Sequence, residues 1–237
     1  MSSIAIVGRG RLGRALAAAL AGAGETVRGP LGRAEATGPA DIVLLCVPER
    51  ELAAAGAAIQ AGPLVAHCSA SASLDLLAPH ERFIAHPLMT VTRDGARFAG
   101  AACAIDGSSP RALAAARGLA ERLGMRPVHV PADRRALYHA AASMASNFLV
   151  TLESAAERLA AACGVDRAGL APLVRAAAGN WAELGGAAAL TGPIARGDDV
   201  TVARQRAAVA AEAPELLPMW DALAAATRTL AASSHGN

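Results

Sequence analysis

The sequence predicts an α/β domain built on a doubly wound parallel sheet, followed by an all-helical domain. Three observations carry that expectation. Strand-like runs alternate with helix-like runs as far as residue 130. The run 41–47 is almost continuously apolar, as expected of a parallel strand buried on both faces. After Pro131 the strand-like runs stop. The expected domains are therefore 1–131 and 132–237.

Taken in order, strands are expected at 3–7, 25–28, 41–47, 64–68, 83–85, 101–106 and 127–130. Helices are expected at 11–21, 49–60, 74–77 and 110–123. Pro48 ends the third strand and Pro87 the fifth. Residues 29–40 are rich in Gly and Pro, so a crossover that could hold a helix and a further strand reads as a loop. Residues 133–163 contain neither Pro nor Gly and read as one long helix. Gly164 stops it and Asp166 caps the next. Further helical runs are expected at 166–178, 180–190, 200–211 and 213–232, with a frayed tail at 233–237.

Hydrophobic residues make up 54% of the chain, but much of this is alanine, which favours helix and buries little area per residue. Aromatic residues are only 3% and the net charge is +2 without a basic block, which argues against nucleic acid as a partner. Four cysteines stand at 46, 68, 103 and 163 with no CxxC among them, so they read as apolar filler rather than as a disulfide framework or metal site. The first strand begins by about residue 3, which leaves no room for a signal peptide. No run of about 18 residues is apolar enough to span a bilayer. The expected location is the cytoplasm, with no membrane partner. The helical part is alanine-rich with a thin core of its own, so a homodimer joined through it is expected.

The sharpest motif follows the first strand. Gly8-Arg9-Gly10-Arg11-Leu12-Gly13 is a GxGxxG loop between a strand and a helix, the context in which it binds a dinucleotide. Gly8 permits the tight turn, Gly10 lets the backbone approach a pyrophosphate, and Gly13 lets the helix lie close on the sheet. The helix N-terminus adds free N–H groups and partial positive charge. A Rossmann-like domain is the implied architecture. About 20 residues past such a loop an Asp or Glu holds the ribose 2′-hydroxyl of NAD. The second strand is expected to end at 27–29, where no acid stands. Arg28 could instead pair with the 2′-phosphate of NADP, with Arg9 and Arg11 adding charge. NADP is therefore expected over NAD.

The segments GRGRLG at 8–13, LLCVPE at 44–49, HCSAS at 67–71, HPLMTV at 86–91, YHAAASMASN at 138–147 and TGPIARGD at 191–198 together resemble a bacterial family with a Rossmann-like domain and a helical domain of unknown function. That family resembles a branch of the 6-phosphogluconate-dehydrogenase-like superfamily, beside ketopantoate, pyrroline-5-carboxylate and β-hydroxyacid enzymes. The resemblance covers nearly the whole chain. It implies that Val47 and Pro48 contact the ribose and nicotinamide side, and that Ser69 to Ser71 lie beside the nicotinamide. His67, inside its strand, reads as structural.

In β-hydroxyacid and ketopantoate enzymes the helix opening the second domain carries a lysine and, four residues on, an asparagine. Asn147 matches the asparagine, and the lysine position falls on Ser143. One turn earlier stands His139, a residue able to donate a proton near neutral pH. At four-residue spacing, 139, 143 and 147 drift by roughly 40° per step and share one α-helical face. His139 is the expected acid, with Ser143 and Asn147 orienting a substrate; polar packing between domains is the alternative for all three. His86 either faces the substrate or caps its strand. Arg196 either binds a substrate anion or pairs with Asp198 or Asp199. Asp133, Arg134 and Arg135 read as cap and solvated charge. The expected function is NADP-dependent reduction of a small anionic carbonyl or imine compound. The alternative is a non-catalytic NADP-binding sensor or scaffold. A deazaflavin–NADP oxidoreductase is a third reading that no residue marks.

Overall fold

The computed structural model describes residues 2–33 and 35–233. The chain forms two compact units, Met1–Ser146 and Asn147–Asn237. The first unit is a seven-stranded sheet in the order β2-β1-β3-β4-β5-β6-β7. Its strands are β1 (Ser3–Val7), β2 (Thr26–Leu31), β3 (Ile42–Leu45), β4 (Leu64–His67), β5 (Arg82–Pro87), β6 (Ala102–Gly107) and β7 (Arg126–His129). The pairings are parallel except β5 with β6, which is antiparallel. The Rossmann-like expectation holds, with that one departure from an all-parallel sheet.

Each strand feeds two cores by alternation. Ile4 and Ile6 of β1, Ile42 and Leu44 of β3, and Phe83 of β5 face α1 (Arg11–Gly22) and α3 (Pro110–Arg122), meeting Leu16, Leu20 and Leu119. Ala5, Val7, Val43, Leu45 and Val65 face the other way, towards Leu52 of α2 (Leu52–Ala57) and Leu77. α3 starts on Pro110 and is capped by Ser109, whose Oγ accepts the Ala112 N–H at 3.1 Å.

β2 runs on to Leu31, past the expected end at 28. The Gly29-Pro30 pair looks like a turn in sequence. Here Gly29, at φ +125°, absorbs an irregularity opposite β1, and Pro30 lies on an edge strand, where a missing N–H is tolerated. Beyond Leu31 no further helix or strand intervenes before β3 among the described residues, so the crossover is a loop as expected. The helix expected over 49–60 shrinks to a 3-10 turn, Glu49–Glu51, and the short α2.

The long helix expected over 133–163 is continuous but mixed. A 3-10 turn, Ala132–Arg134, leads into α4 (Arg135–Ser143), a π-helical turn follows at Met144–Phe148, and α5 (Leu149–Ala162) completes it. The division between the two units falls inside that π turn, later than the change of texture at 131.

The second unit continues with α6 (Arg167–Leu184), α7 (Gly186–Ala189), α8 (Asp199–Glu212) and α9 (Leu217–Ser233). Asp166 caps α6 as expected, accepting the Gly169 N–H at 2.9 Å. α6 runs through Gly179, where the sequence suggested a break, because one glycine costs a helix only about 1 kcal/mol. Of the tail expected at 233–237, only Ser233 is described; it closes α9. Cys68 and Cys103 are buried, Cys46 is half-buried, and Cys163 is exposed at the end of α5 rather than serving as filler. No helix among the described residues is long and apolar enough to cross a membrane.

One buried polar group sits deep in the sheet. His67, at the end of β4, is fully buried; its Nδ1 accepts the Ser69 N–H at 3.1 Å, and its Nε2 has no partner among the described residues. Burial, helped by the nearby Arg135 charge, pushes His67 down to about 4. An unfolded histidine titrates near 6.5, so between pH 6.5 and 4 the unfolded chain binds a proton that the folded chain refuses. Folding stability is therefore fully present above pH 6.5 and falls as pH drops through that window. Denaturant titrations at pH 7 and pH 5 should show a loss of about 2 kcal/mol from this residue alone. His67→Asn, which can still accept the Ser69 N–H, should remove that part of the pH dependence. Identical pH dependence in the variant would contradict the assignment.

Candidate functional site

The carboxyl edge of the parallel strands is where open α/β sheets bind ligands, and the glycine loop lies there. Two backbone hydrogen bonds fix the turn: Gly8 N–H donates to Leu31 O at 2.8 Å and Cys46 N–H to Val7 O at 2.7 Å. Gly8, at φ +123°, passes so close to β3 that a Cβ would stand 2.2 Å from Cys46 O. A Cβ on Gly13 would stand 2.0 Å from Gly8 O. Gly10 differs: a Cβ there would meet nothing within 4 Å. Gly10 is also the N-cap of α1 and supplies no capping side chain, so the first-turn N–H groups lack an internal acceptor.

A cavity of about 1200 Å³ runs from this loop along α2 to the amino ends of the strands at Ser3, Asp41 and Pro63. Gly8, Arg9, Gly10, Val47 and Pro48 line it, as does the loop after β2. The other expected cofactor residues lie elsewhere. Leu12 packs on the core, Gly13 is buried beneath the turn, Arg11 is exposed on α1, and Ser69 is not part of the lining. Arg28 is mid-strand opposite Ala5, outside the lining, with its guanidinium against Gly38. Among the described residues, the cations on the wall are Arg9, Arg33 and Arg50.

No acid stands at 27–29, but β2 runs on to Leu31 and an acid follows on the loop beyond it. Glu35 lines the cavity, accepting the Gly32 N–H at 2.7 Å and Arg9 Nη2 at 2.5 Å. The Gly32 N–H, then the charges of Arg9 and Arg28, hold its carboxyl below the usual range. A second pair, Arg33 with Glu51 at 2.7 Å, joins the same loop to the turn after β3. The acid escaped the sequence reading because β2 was ended three residues early.

The loop after β4 is tied down by a carboxylate. Ser69 and Ser71 each donate an Oγ–H to Glu49 Oε2 at 2.9 Å, and Ser69 Oγ accepts the Ser71 and Ala72 N–H groups. Arg135 holds the far end, donating from Nη1 to Ala72 O at 3.1 Å and from Nη2 to Asp106. Arg135 is 7% exposed, so the expectation of solvated charge fails for it. Its partners come from β6 and the β4 loop, separations that sequence spacing cannot show. Asp133 and Arg134 pair with each other in solvent.

His86, at the end of β5, meets α4. Its Nδ1 lies 2.8 Å from the Tyr138 hydroxyl, with the rings edge to face at 5.5 Å. Burial, then the neighbouring His139 charge, push His86 down to about 4, and burial pushes Tyr138 up to about 12. At neutral pH both are uncharged and share one hydrogen bond. Tyr138 is the chain's one tyrosine, and the sequence reading passed over it for its neighbour. His139 is exposed and Ser143 half-buried at the end of α4.

The first unit thus brings together His86, Tyr138 and His139. The π turn begins directly after Ser143, so the α-helical spacing assumed from Ser143 to Asn147 does not apply. Asn147 opens the second unit, and Arg196 belongs to it, exposed in a turn where its N–H donates to Gly192 O at 3.3 Å. Of its expected partners, Asp198 caps α8 through the Thr201 N–H and Asp199 pairs with Arg228. The described residues contain no cluster of three or more metal-ligating side chains.

Solved structures share this fold. A candidate NADP oxidoreductase from Bacteroides fragilis is 20% identical, with a TM-score of 0.82, 96% of this chain covered and 98% of the other. A protein from Thermotoga maritima is 22% identical, with a TM-score of 0.80, 98% of this chain covered and 99% of the other. A reductive aminase from Aspergillus terreus, in complex with NADPH and ethyl-5-oxohexanoate, is 19% identical, with a TM-score of 0.67, 97% of this chain covered and 94% of the other. At these identities the likeness shows the fold alone. Among curated proteins none matches. The model of a domain of unknown function, DUF2520, matches residues 101–227, more than half of the chain, and the chain belongs to that family.

Proposed function

We propose that the protein is an NADP-dependent oxidoreductase that reduces a small carbonyl or imine compound. The observation that carries this reading is the glycine loop: drawn tight at Gly8 and Gly13, open at Gly10, and facing a cavity large enough for a dinucleotide. The residues fit the group. The N–H groups of the loop and of the first turn of α1 would hold the pyrophosphate. Val47 and Pro48 would wall the ribose and nicotinamide side, and Arg9 and Arg33 offer cations for a 2′-phosphate. The Bacteroides and Aspergillus neighbours, a candidate NADP oxidoreductase and a reductive aminase in complex with NADPH, support the same cofactor.

When bound, the reduced nicotinamide supplies the hydride. The chain's part is to orient the substrate, exclude water and provide a proton. His139 is the proposed donor, exposed on α4 and able to protonate an oxygen or nitrogen that gains charge. Tyr138 and His86 stand beside it as a neutral hydrogen-bonded pair that can orient the substrate without adding charge. Ser143 and Ser69 supply hydroxyls at the end of α4 and on the loop after β4. The expectation of an anionic substrate rests on Arg196 of the second unit; in the first unit, Ser69 and Ser71 of the loop after β4 donate to the carboxylate of Glu49, on the turn after β3. That charge favours a neutral carbonyl or a cationic iminium.

NADPH consumption, followed with a panel of 2-oxo acids, β-keto acids, ketones and cyclic imines, tests the reaction class. His139→Ala should lower turnover about 10²-fold on any substrate found, with NADPH affinity unchanged. Undiminished turnover would remove His139 as the donor. NADPH bound but never consumed across the panel would favour the sensor or scaffold reading.

We also propose a homodimer through the second unit. α5 and α6 bury no residue, while Val150, Leu173, Trp181 and Leu184 are 59–67% exposed. Apolar side chains of this size on two adjacent helices call for a covering surface, and a second copy of the same helices provides one. Light scattering at micromolar concentration should give twice the 23.7 kDa chain mass. Trp181→Glu should shift the mass towards that of one chain. A wild-type monomer would contradict the proposal.

A further inference from the structure

The adenosine end of the cavity holds a charge arrangement that the dinucleotide reading alone does not require. Arg9, on the glycine loop, and Glu35, on the loop after β2, are joined side chain to side chain at 2.5 Å. Glu35 is anchored a second time by the Gly32 N–H. The Arg9 guanidinium also lies against Gly32, where an added Cβ would come within 3.4 Å of its Cζ. Gly32 follows directly on Leu31, the last residue of β2, and Leu31 O is bonded to Gly8 N–H. Arg9, Gly32 and Glu35 therefore occupy the position beyond the second strand where a Rossmann-like domain meets the adenosine ribose. Arg33, the next cation along, is already paired with Glu51 across the loop.

A 2′-hydroxyl and a 2′-phosphate ask opposite things of this place. The hydroxyl can donate to a carboxylate, and Glu35 offers one. The phosphate, at about −2, is repelled by that carboxylate and needs the guanidinium it occupies. We propose that Glu35 is the specificity-determining residue of the pocket: its carboxylate holds Arg9, so a 2′-phosphate must displace it, whereas a free 2′-hydroxyl is accepted by it. The inference rests on the reading that this cavity takes a dinucleotide. Glu35 restrains the preference for NADP that the surrounding arginines create, so the wild-type protein discriminates less than its arginines alone would.

Calorimetric titration with NADPH, NADH, 2′,5′-ADP and 5′-AMP tests this on the full-length protein and on Glu35→Gln. The glutamine keeps the size of the side chain and an acceptor for the Gly32 N–H, but loses the charge. Glu35 is exposed, so the fold should be untouched, and thermal denaturation checks it. Glu35→Gln should tighten NADPH and 2′,5′-ADP about tenfold and leave NADH and 5′-AMP unchanged or weaker. The double variant Arg9→Ala/Glu35→Gln should lose that gain. Equal shifts for the phosphorylated and unphosphorylated ligands, or weaker NADPH binding in Glu35→Gln, would overturn the inference while leaving the dinucleotide reading in place. Absence of binding by both dinucleotides to the folded wild type would overturn both.

Discussion

The close approach of the glycine loop to the third strand sets the geometry of everything at the carboxyl edge of the sheet. Cys46 N–H reaches back to Val7 O while Cys46 O lies where a Gly8 Cβ would stand. Any side chain at Gly8 or Gly13 meets backbone, which cannot swing aside as a flexible side chain can. The turn is therefore short: only three residues separate the end of β1 from the start of α1 at Arg11. Because α1 starts there, its N-cap Gly10 lines the cavity, and Leu16 and Leu20 fall onto the apolar face of the sheet. Core packing and ligand cradle follow from the same two glycines.

The rest of the site is held by charges that side chains, rather than backbone, keep in place. Glu49 gathers the hydroxyls of Ser69 and Ser71, and Arg135 closes the other end of that loop while bonded to Asp106. A buried guanidinium persists only because its donors are met; losing Asp106 would strand a charge at a cost of about 3–5 kcal/mol. On the loop after β2 the pair Arg9–Glu35 is exposed and the exposed Arg33 meets a half-buried Glu51, so both pairs are weak and exchangeable. The buried pair fixes a loop, and the weak pairs leave one responsive to a ligand.

What the sequence made legible follows the range of the forces involved. The strands at β1, β3 and β4 and the helix α3 announce themselves through local apolar runs and caps, and the structure has them where expected. The end of β2 was misplaced because Gly29-Pro30 signals a turn locally, while edge-strand position allows both residues to stay in the sheet. That error concealed Glu35. Arg135 looked solvated since its partners lie 29 and 63 residues away. Tyr138 went unnoticed since its partner His86 lies 52 residues away. The π turn at Met144–Phe148 has no sequence signature of its own, and it broke the spacing argument that joined Asn147 to Ser143.

Gly10 separates the fold from the function more cleanly than any other position, because it is the one glycine of the loop whose Cβ would meet empty space. Its backbone is extended, at φ −70° and ψ 179°, a conformation that valine adopts without strain. Calorimetric titration of NADPH into the wild type and Gly10→Val, alongside their thermal denaturation, tests the central claim. The account predicts saturable binding by the wild type, a folded variant that melts only a few degrees lower, the difference between valine and glycine at an N-cap, and loss of NADPH binding there because the side chain fills the space a pyrophosphate needs. A folded Gly10→Val protein that binds NADPH as tightly as the wild type would contradict it.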